Sequence, residues 1–151
     1  MTDSAVSLYD RDFYAWASEQ AAMLRAGRLP AADIENIAEE IESICGREKG
    51  EMRRRLQTLL LTLLRRQHLP ERRNDTGRGD VLRQRRELAH CVADSPSLRP
   101  WLAGIVEDSY QSAVLQAEVD DGLPATALPA ACPWTFDQIT AADFWPGDER
   151  H

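Results

Sequence analysis

Long apolar runs are missing from this chain of 151 residues. The longest strongly apolar stretch, residues 59–64, has six residues and is followed by arginines, whereas about 20 apolar residues are needed to cross a bilayer. The first four residues also lack the basic patch and the apolar stretch of a signal peptide. We therefore expect a cytoplasmic protein with no membrane contact.

Cysteine is scarce as well, and the motifs of several enzyme classes are absent. Cys45, Cys91 and Cys132 are far apart and form no CxxC pair, so neither a zinc site nor a redox pair is indicated. We expect all three to be small buried side chains. The chain has no glycine-framed serine elbow, no cysteine in a known catalytic motif and no glycine-rich phosphate loop. These absences weaken an enzyme assignment, and no cofactor is predicted.

Valine and isoleucine are few, with 6 of each against 20 alanines and 17 leucines. Good helix formers therefore dominate, which argues against a sheet protein. With 43% hydrophobic and 28% charged residues, the chain has an ordinary globular balance. We predict an all-α, single-domain bundle of four main helices over residues 8–146, with disordered ends at 1–7 and 147–151.

The longest predicted helix runs from about Asp33, its N-cap, to about His68, where Pro70 follows. Its first part has the clearest amphipathic pattern of the chain, with apolar residues at 34, 37, 38, 41, 44 and 45. The apolar phase continues past Gly46 and Gly50, which favours one straight or kinked helix. Farther on, the leucine-rich part is apolar on nearly every side, so we expect it to run through the centre of the bundle.

Three other helices are predicted from apolar spacing and capping residues. The first runs from near Asp10 to before Gly27, and the third begins at Asp80 as its N-cap. The fourth begins at Ser95-Pro96, with proline in the first helical position, and ends at Gly122.

The segments outside these helices are irregular. Residues 71–79 are polar and contain two glycines, which predicts an exposed connection. Four prolines from position 124 onwards interrupt the C-terminal tail. Within that tail, Thr135 and Gln138 are spaced as a capping box for one short turn of helix.

The net charge of −7 conceals three segments of different sign. Residues 1–46 carry a net charge of −6, residues 47–90 carry +7 and residues 91–151 carry −8. The arginines of the middle segment could bind nucleic-acid phosphates or an acidic protein partner, or could pair within the fold. We favour internal pairing, because the whole chain is acidic and the middle segment lacks the aromatic residues on which bases stack.

A candidate polar network combines three carboxylates of the longest helix with two residues of the next one: Glu39, Glu40, Glu42, Gln84 and Arg85. Carboxylates this close could serve as an acid and base if burial separated their pKa values. A structural network, in which the arginine and glutamine satisfy the carboxylates, is the favoured interpretation.

A metal site is not predicted. Glu87 and His90 have the Glu-x-x-His spacing of di-iron proteins, but that template needs two such motifs and two more carboxylates.

Several local patterns follow one another in a recognisable order: Tyr9-Asp10-x-Asp12-Phe13-x-x-Trp16, Asn36-Ile37-x-Glu39-Glu40-Ile41-Glu42, Leu63-Leu64, Gln84-Arg85, Asp94-Ser95-Pro96-Ser97-Leu98, Tyr110 and Cys132-Pro133-Trp134-Thr135. Together they resemble the bacterial "domain of unknown function" family twenty-nine over nearly the whole chain. The resemblance implies a small, all-helical, cytoplasmic bacterial protein without an assigned activity. The chain departs from the family pattern at Gly77, where a tryptophan after a serine is frequent, and at Thr62, where a histidine is common.

The function predicted from these observations is that of a protein-interaction or regulatory helical module. Its partner is an unknown protein, or a second copy in a homodimer. Two alternatives stay open, a nucleic-acid-binding protein that uses the arginine-rich segment and an enzyme built on the glutamates and Arg85.

Overall fold

The chain folds into helices joined by short turns. A computed structural model describes residues 7–72 and 77–147, without the side chain of Arg72, and these ranges contain six α-helices and no strand. They are α1 (Leu8–Arg11), α2 (Phe13–Arg25), α3 (Ile34–His68), α4 (Arg78–Asp94), α5 (Leu102–Asp121) and α6 (Phe136–Thr140). Helices α2 to α5 are the long ones, so the predicted all-α class with four main helices is confirmed. None of the helices in these ranges is both long and apolar enough to span a membrane.

Contacts along the backbone group the chain into two compact units, residues 1–47 and 48–151, called unit 1 and unit 2 below. The division falls within α3, whose predicted continuity through Gly46 and Gly50 is confirmed. The single domain predicted over residues 8–146 stays a prediction. Of the ends predicted to be disordered, residues 1–6 and 148–151 lie outside the described residues, and Ser7 caps α1.

Unit 1 begins with two helices where the sequence predicted one. The Asp12 carboxylate accepts the backbone N–H of Ala15 at 3.0 Å and so caps α2. Its own φ of −149° lies outside the helical region, which separates α1 from α2. Gly27, with φ +73°, follows α2 and marks the predicted end of this helical segment.

Unit 2 contains a leucine-rich core. The second half of α3 supplies six residues that are each at most 1% exposed: Met52, Leu56, Leu59, Leu60, Leu63 and Leu64. Residues of α4, α5, α6 and the tail complete the same cluster, among them Leu88, Tyr110, Leu128 and Ile139. The leucine-rich part of α3 is therefore central to the core of unit 2, as predicted.

Two predicted helix starts are wrong. Gly77, not Asp80, is the N-cap of α4, and Asp80 lies in the first turn, where its carboxylate pairs with Arg83. The side chain of Ser95 makes no capping bond, and Pro96–Trp101 forms a 3-10 helix before α5 begins. An α-helix starting at Pro96 would require an N–H donor at position 100, which is a proline.

The ends of other elements follow the prediction. Helix α3 ends at His68, before Pro70, and Gly122 caps α5 with φ +67°. Thr135 and Gln138 form the predicted capping box of α6. In the predicted connection, Pro70–Arg72 forms a 3-10 turn and residues 73–76 lie outside the described residues.

The prediction that all cysteines are buried is wrong. Cys45 is exposed, while Cys91 and Cys132 are half-buried. Cys45 belongs to the apolar side of α3 in unit 1, and that side is largely uncovered.

Candidate functional site

The first half of α3 exposes a row of isoleucines, defined here as Ile34, Ile37, Ile41 and Ile44. Their spacing of three, four and three residues places them on one side of the helix. Ile34 is 54% exposed, Ile41 is 58% exposed and Ile44 is 51% exposed, whereas Ile37 is half-buried. The sequence predicted the amphipathic helix correctly, but most of its apolar side is solvent-exposed.

Three free carboxylates lie on the same part of α3. Glu35 and Glu42 each follow an isoleucine of the row and therefore lie about 100° around the helix from it, and Glu39 lies farther round. All three are exposed, and the structure shows no side-chain bond for any of them. Glu40 differs, because its carboxylate accepts a short hydrogen bond from the Tyr9 hydroxyl. That bond is the main cause that raises the pKa of Tyr9 to about 12.

The inner side of unit 1 is organised around Asp33. Its carboxylate accepts the indole N–H of Trp16 at 3.1 Å and the amide N–H of Asn36 at 2.8 Å. Its backbone N–H donates to the Gln20 side chain at 2.7 Å. The bonds from Asn36 and Trp16 lower the pKa of the Asp33 carboxyl. Asp33 thus joins α2 to the start of α3 and fixes the buried Trp16 ring.

The other two residues of the predicted polar network belong to unit 2. Gln84 accepts a hydrogen bond from Nη1 of Arg55 at 3.1 Å. Arg85 is 3% exposed, and its three guanidinium nitrogens donate to backbone carbonyls of the tail, as described below. A single network of Glu39, Glu40, Glu42, Gln84 and Arg85 stays a prediction.

Arg85 clamps the tail that follows α6. Its Nε donates to the Ile139 carbonyl at 2.8 Å, Nη1 donates to the Ala142 carbonyl at 3.3 Å, and Nη2 makes a short bond to the Phe144 carbonyl. Burial is the main cause that lowers the pKa of Arg85. The guanidinium also lies 4.8 Å from the centre of the Trp145 ring.

Other arginines of the middle segment pair within unit 2. Arg53 lies 3.5 Å from the Asp108 carboxylate, and Arg65 lies 2.6 Å from Asp121 and 3.3 Å from Asp120. These are pairs between the basic segment and the acidic C-terminal segment, which supports the interpretation of internal pairing.

A groove of about 390 Å³ lies between the start of α5 and the turn before α6. It is lined by Arg99, Leu102, Ala103, Val106, Glu107, Cys132, Trp134, Thr135, Phe136 and Asp137. Glu107 fixes one wall, because its carboxylate accepts the backbone N–H of Cys132 at 3.0 Å. Burial raises the pKa of the Cys132 thiol, and the Glu107 charge adds to that effect. A protonated thiol is a poor nucleophile, so the groove lacks an activated cysteine.

Glu87 and His90, the pair considered for metal binding, both lie on α4. His90 faces Asp94 at 3.2 Å, and both side chains are exposed. In the part of the chain that the structure describes, no group of three or more His, Cys, Asp or Glu side chains is placed to hold a metal ion.

The model of the family "Domain of unknown function DUF29" matches residues 8–145. The chain belongs to this family. The resemblance found in the sequence motifs is therefore confirmed. The family has no assigned function, as the resemblance implied. No curated protein and no solved structure matches the chain.

The two departures from the family pattern are neighbours in unit 2. A Cβ atom at Gly77 would lie 3.9 Å from Cγ2 of Thr62.

Sequence reasoning missed two features that the structure shows. The first is the groove wall, where α5 meets a turn that lies 25 positions later in the chain, through the bond from the Cys132 N–H to the Glu107 carboxylate. No local sequence pattern indicates a bond between residues so far apart. The exposure of the isoleucine row was also missed, because an amphipathic pattern identifies the apolar side of a helix but not what covers it.

Proposed function

We propose that this chain is a cytoplasmic protein-interaction module and that the isoleucine row of α3 is its contact surface. The observation that carries the proposal is the exposure of three isoleucines at helical spacing, each more than half accessible. Single exposed apolar residues are ordinary on protein surfaces, but a contiguous row marks an interaction site. Anchors at such spacing are those by which helices recognise one another.

The small core of unit 1 supports the same proposal. Among the described residues of this unit, only Trp16 and Gln20 are buried. Four further large apolar side chains of the unit are at least 42% exposed: Phe13, Tyr14, Leu24 and Leu29. A segment of this size gains little stability from so few buried groups, and binding to a partner would add what its own core lacks.

Two observations bear on the compartment and on the other candidate surfaces. The three cysteines are free, which suits a reducing compartment such as the cytoplasm. Arginines of the basic segment are engaged with Asp108, Asp120 and Asp121, so this segment is the less suitable contact surface.

Photo-crosslinking in cells tests the proposal. A photoreactive amino acid at position 41 should give one defined crosslinked product, and the same group at Val119, which is 79% exposed on α5, should not. The captured protein is then purified and titrated against the full chain. The double variant Ile41→Gln/Ile44→Gln should weaken the measured affinity by about 10-fold or more, since central apolar anchors dominate such interfaces.

The matched control is Leu115→Gln/Val119→Gln, which removes two exposed apolar side chains from α5, both more exposed than Ile41 and Ile44. It should leave the affinity unchanged. An affinity that the isoleucine variant does not change would show that the row is not the contact surface. A large loss of thermal stability in that variant would instead make the isoleucines core residues and would also contradict the proposal.

A further inference from the structure

Three arginines converge on one indole ring in unit 2. The guanidinium carbons of Arg66, Arg78 and Arg85 lie 4.8, 4.0 and 4.8 Å from the centre of the Trp145 ring. Each of these groups is attracted by the electrons of the ring. A ring has only two faces, so at least two of the three cations share one of them.

Carboxylates at bonding distance do not balance these charges. Within the described part of the chain, neither Arg78 nor Arg85 forms an ion pair, unlike other arginines of the basic segment. The three groups lie no more than about 10 Å apart, so salt screens their repulsion only partly. Burial is the main cause that lowers the pKa of Arg85, and the charges of Arg66 and Arg78 lower it further, while Asp143 acts in the opposite direction. Arg78 is also the first residue of α4, where the helix dipole disfavours a positive charge.

The three arginines differ in what they can still bind. Arg85 is 3% exposed and donates to three carbonyls of the tail, so it contributes mainly its charge. Arg66 and Arg78 are half-buried, and the structure describes no hydrogen bond for the Arg78 guanidinium. A guanidinium group has five N–H donors, so Arg66 can serve a ligand beside the interaction that it already makes.

A phosphate group is the anion that suits this arrangement. The planar fork of a guanidinium group binds a carboxylate or a phosphate through two parallel hydrogen bonds. A carboxylate is satisfied by one fork, whereas the three terminal oxygens of a phosphate ester can be shared between two forks. We propose that Arg66 and Arg78 bind a phosphate group beside Trp145, with Arg85 adding its charge. This site does not involve the isoleucine row, so the inference goes beyond the proposed function.

Isothermal titration calorimetry with inorganic phosphate tests the site in the full chain. The ionic strength is held constant with sodium chloride, so that the general effect of salt is the same in every titration. We expect saturable binding of one phosphate per chain, and acetate should bind about 10-fold more weakly. The absence of saturable phosphate binding, or equal binding of acetate, would overturn the inference.

Two variants of equal net charge separate this site from the charge of the whole chain. Arg78→Gln and the control Arg86→Gln each change the net charge from −7 to −8, and Arg86 is exposed on the same helix. Arg78→Gln should weaken phosphate binding about 10-fold, and the control should change it by less than about 2-fold. Equal weakening in both variants would show that phosphate responds only to overall charge, and the inference would be wrong.

Arg78→Lys tests the planar fork and serves as the second variant if Arg78→Gln does not fold. Lysine keeps the positive charge but offers a single ammonium group, so phosphate should bind several-fold more weakly than to the original chain. Undiminished binding by the lysine variant would contradict the proposed contact between the fork and the phosphate oxygens.

The phosphate group can belong to a free ion or to a phosphorylated small molecule. Titration with glycerol 3-phosphate, with glycerol as its control, distinguishes these sources. Tighter binding of the ester than of inorganic phosphate would identify a phosphorylated small molecule as the ligand, and weaker binding would identify the free ion. Glycerol should not bind, and glycerol binding as strong as that of its phosphate ester would overturn the inference, since the phosphate would then not be recognised.

Discussion

Arg85 shows how one charged side chain can hold a polypeptide segment that has little regular structure. Its planar guanidinium reaches the carbonyls of Ile139, Ala142 and Phe144, which lie more than 50 residues later in the chain. These carbonyls are left without helix partners at and beyond the end of α6. The arginine therefore satisfies the backbone groups of the tail and is itself compensated for burial.

We expect Arg85→Ala to destabilise unit 2 by about 3 kcal/mol, because it leaves buried carbonyls without donors and opens a cavity. Arg85→Lys should restore little of this loss, since an ammonium group cannot reproduce three bonds in a planar fork. Urea unfolding measures both values. Arg86→Ala, at the exposed neighbouring position, should change stability by less than about 0.5 kcal/mol. Equal losses at positions 85 and 86 would contradict this role.

We expect the hydrogen bonds of the Asp33 carboxylate in unit 1 to be sensitive to acid. Hydrogen bonds from Asn36 and Trp16 lower the pKa of its carboxyl below the usual 3.8. The stabilisation is therefore complete above the usual pKa and is lost as the pH falls through the lowered native value. In an NMR titration, the indole N–H signal of Trp16 should shift with a midpoint below 3.8. A midpoint at or above that value would refute the prediction, and Asp33→Asn should abolish the transition.

These residues show what the sequence could predict about single side chains and what it could not. The spacing of the neighbouring apolar residues predicted that Arg85 lies on the apolar side of its helix, and the structure shows that it is buried there. Its partners do not follow, because backbone carbonyls carry no sequence signature. Glu40 and Glu42, on either side of Ile41, were predicted as candidate site residues, but the exposed isoleucine row becomes visible only when the exposure of α3 is known.

At the scale of the element, α3 shows that apolar periodicity predicts a helix and its apolar side but does not predict whether that side is buried. The recurrence of apolar residues predicted one helix through Gly46 and Gly50, and the helix is continuous. Both halves have an apolar side, but Leu60 is fully buried whereas Ile41 is 58% exposed. Periodicity fixes which residues share a side, and only the packing of other helices decides whether that side is covered.

The two glycines of α3 offer a test of the helix itself. A Cβ atom at Gly46 or Gly50 would meet no atom within 4 Å, so alanine fits at both positions. We expect Gly46→Ala and Gly50→Ala each to raise the free energy of unfolding by about 0.5–1 kcal/mol, because alanine reduces the freedom of the unfolded chain. Thermal or urea unfolding measures the change.

Gly122→Ala is the control for this pair of substitutions. Gly122 has φ +67°, a conformation that alanine adopts only with strain, so the same replacement should lower stability by about 1 kcal/mol. Destabilisation by Gly46→Ala or Gly50→Ala would mean that a glycine within α3 is required for a bend or a contact.

At the scale of the whole molecule, the segregation of charge along the chain corresponds to pairing within unit 2. Arg53 and Arg65 of the basic segment meet Asp108, Asp120 and Asp121 of the acidic C-terminal segment. The acidic N-terminal segment contains Glu35 and Glu42, whose carboxylates have no described partner. Opposite charges are therefore paired within unit 2, whereas these two carboxylates of unit 1 have no described partner. Unit 1 is where the proposed partner binds.

The unequal cores of the two units predict unequal local stability. Unit 2 buries a cluster that includes Leu56, Leu60 and Tyr110, each with no measurable exposure, whereas Trp16 is the only buried apolar side chain among the described residues of unit 1. Opening of a segment costs less free energy where fewer apolar groups are buried. Backbone amides of α2 and of residues 34–44 should therefore exchange with solvent deuterium about 10-fold or more faster than those of residues 56–64 and of α5.

Hydrogen exchange followed by mass spectrometry or NMR measures this difference, and it connects stability to the proposed function. A bound partner that covers the isoleucine row should slow exchange in residues 34–44 and leave residues 56–64 unchanged, because binding stabilises the state that binds. Leu60→Ala should have the converse effect and accelerate exchange in unit 2, since a cavity in that core costs about 2–5 kcal/mol. Equal exchange rates in the two units of the free chain would show that unit 1 has a core of its own, and its exposed isoleucines would then need another explanation.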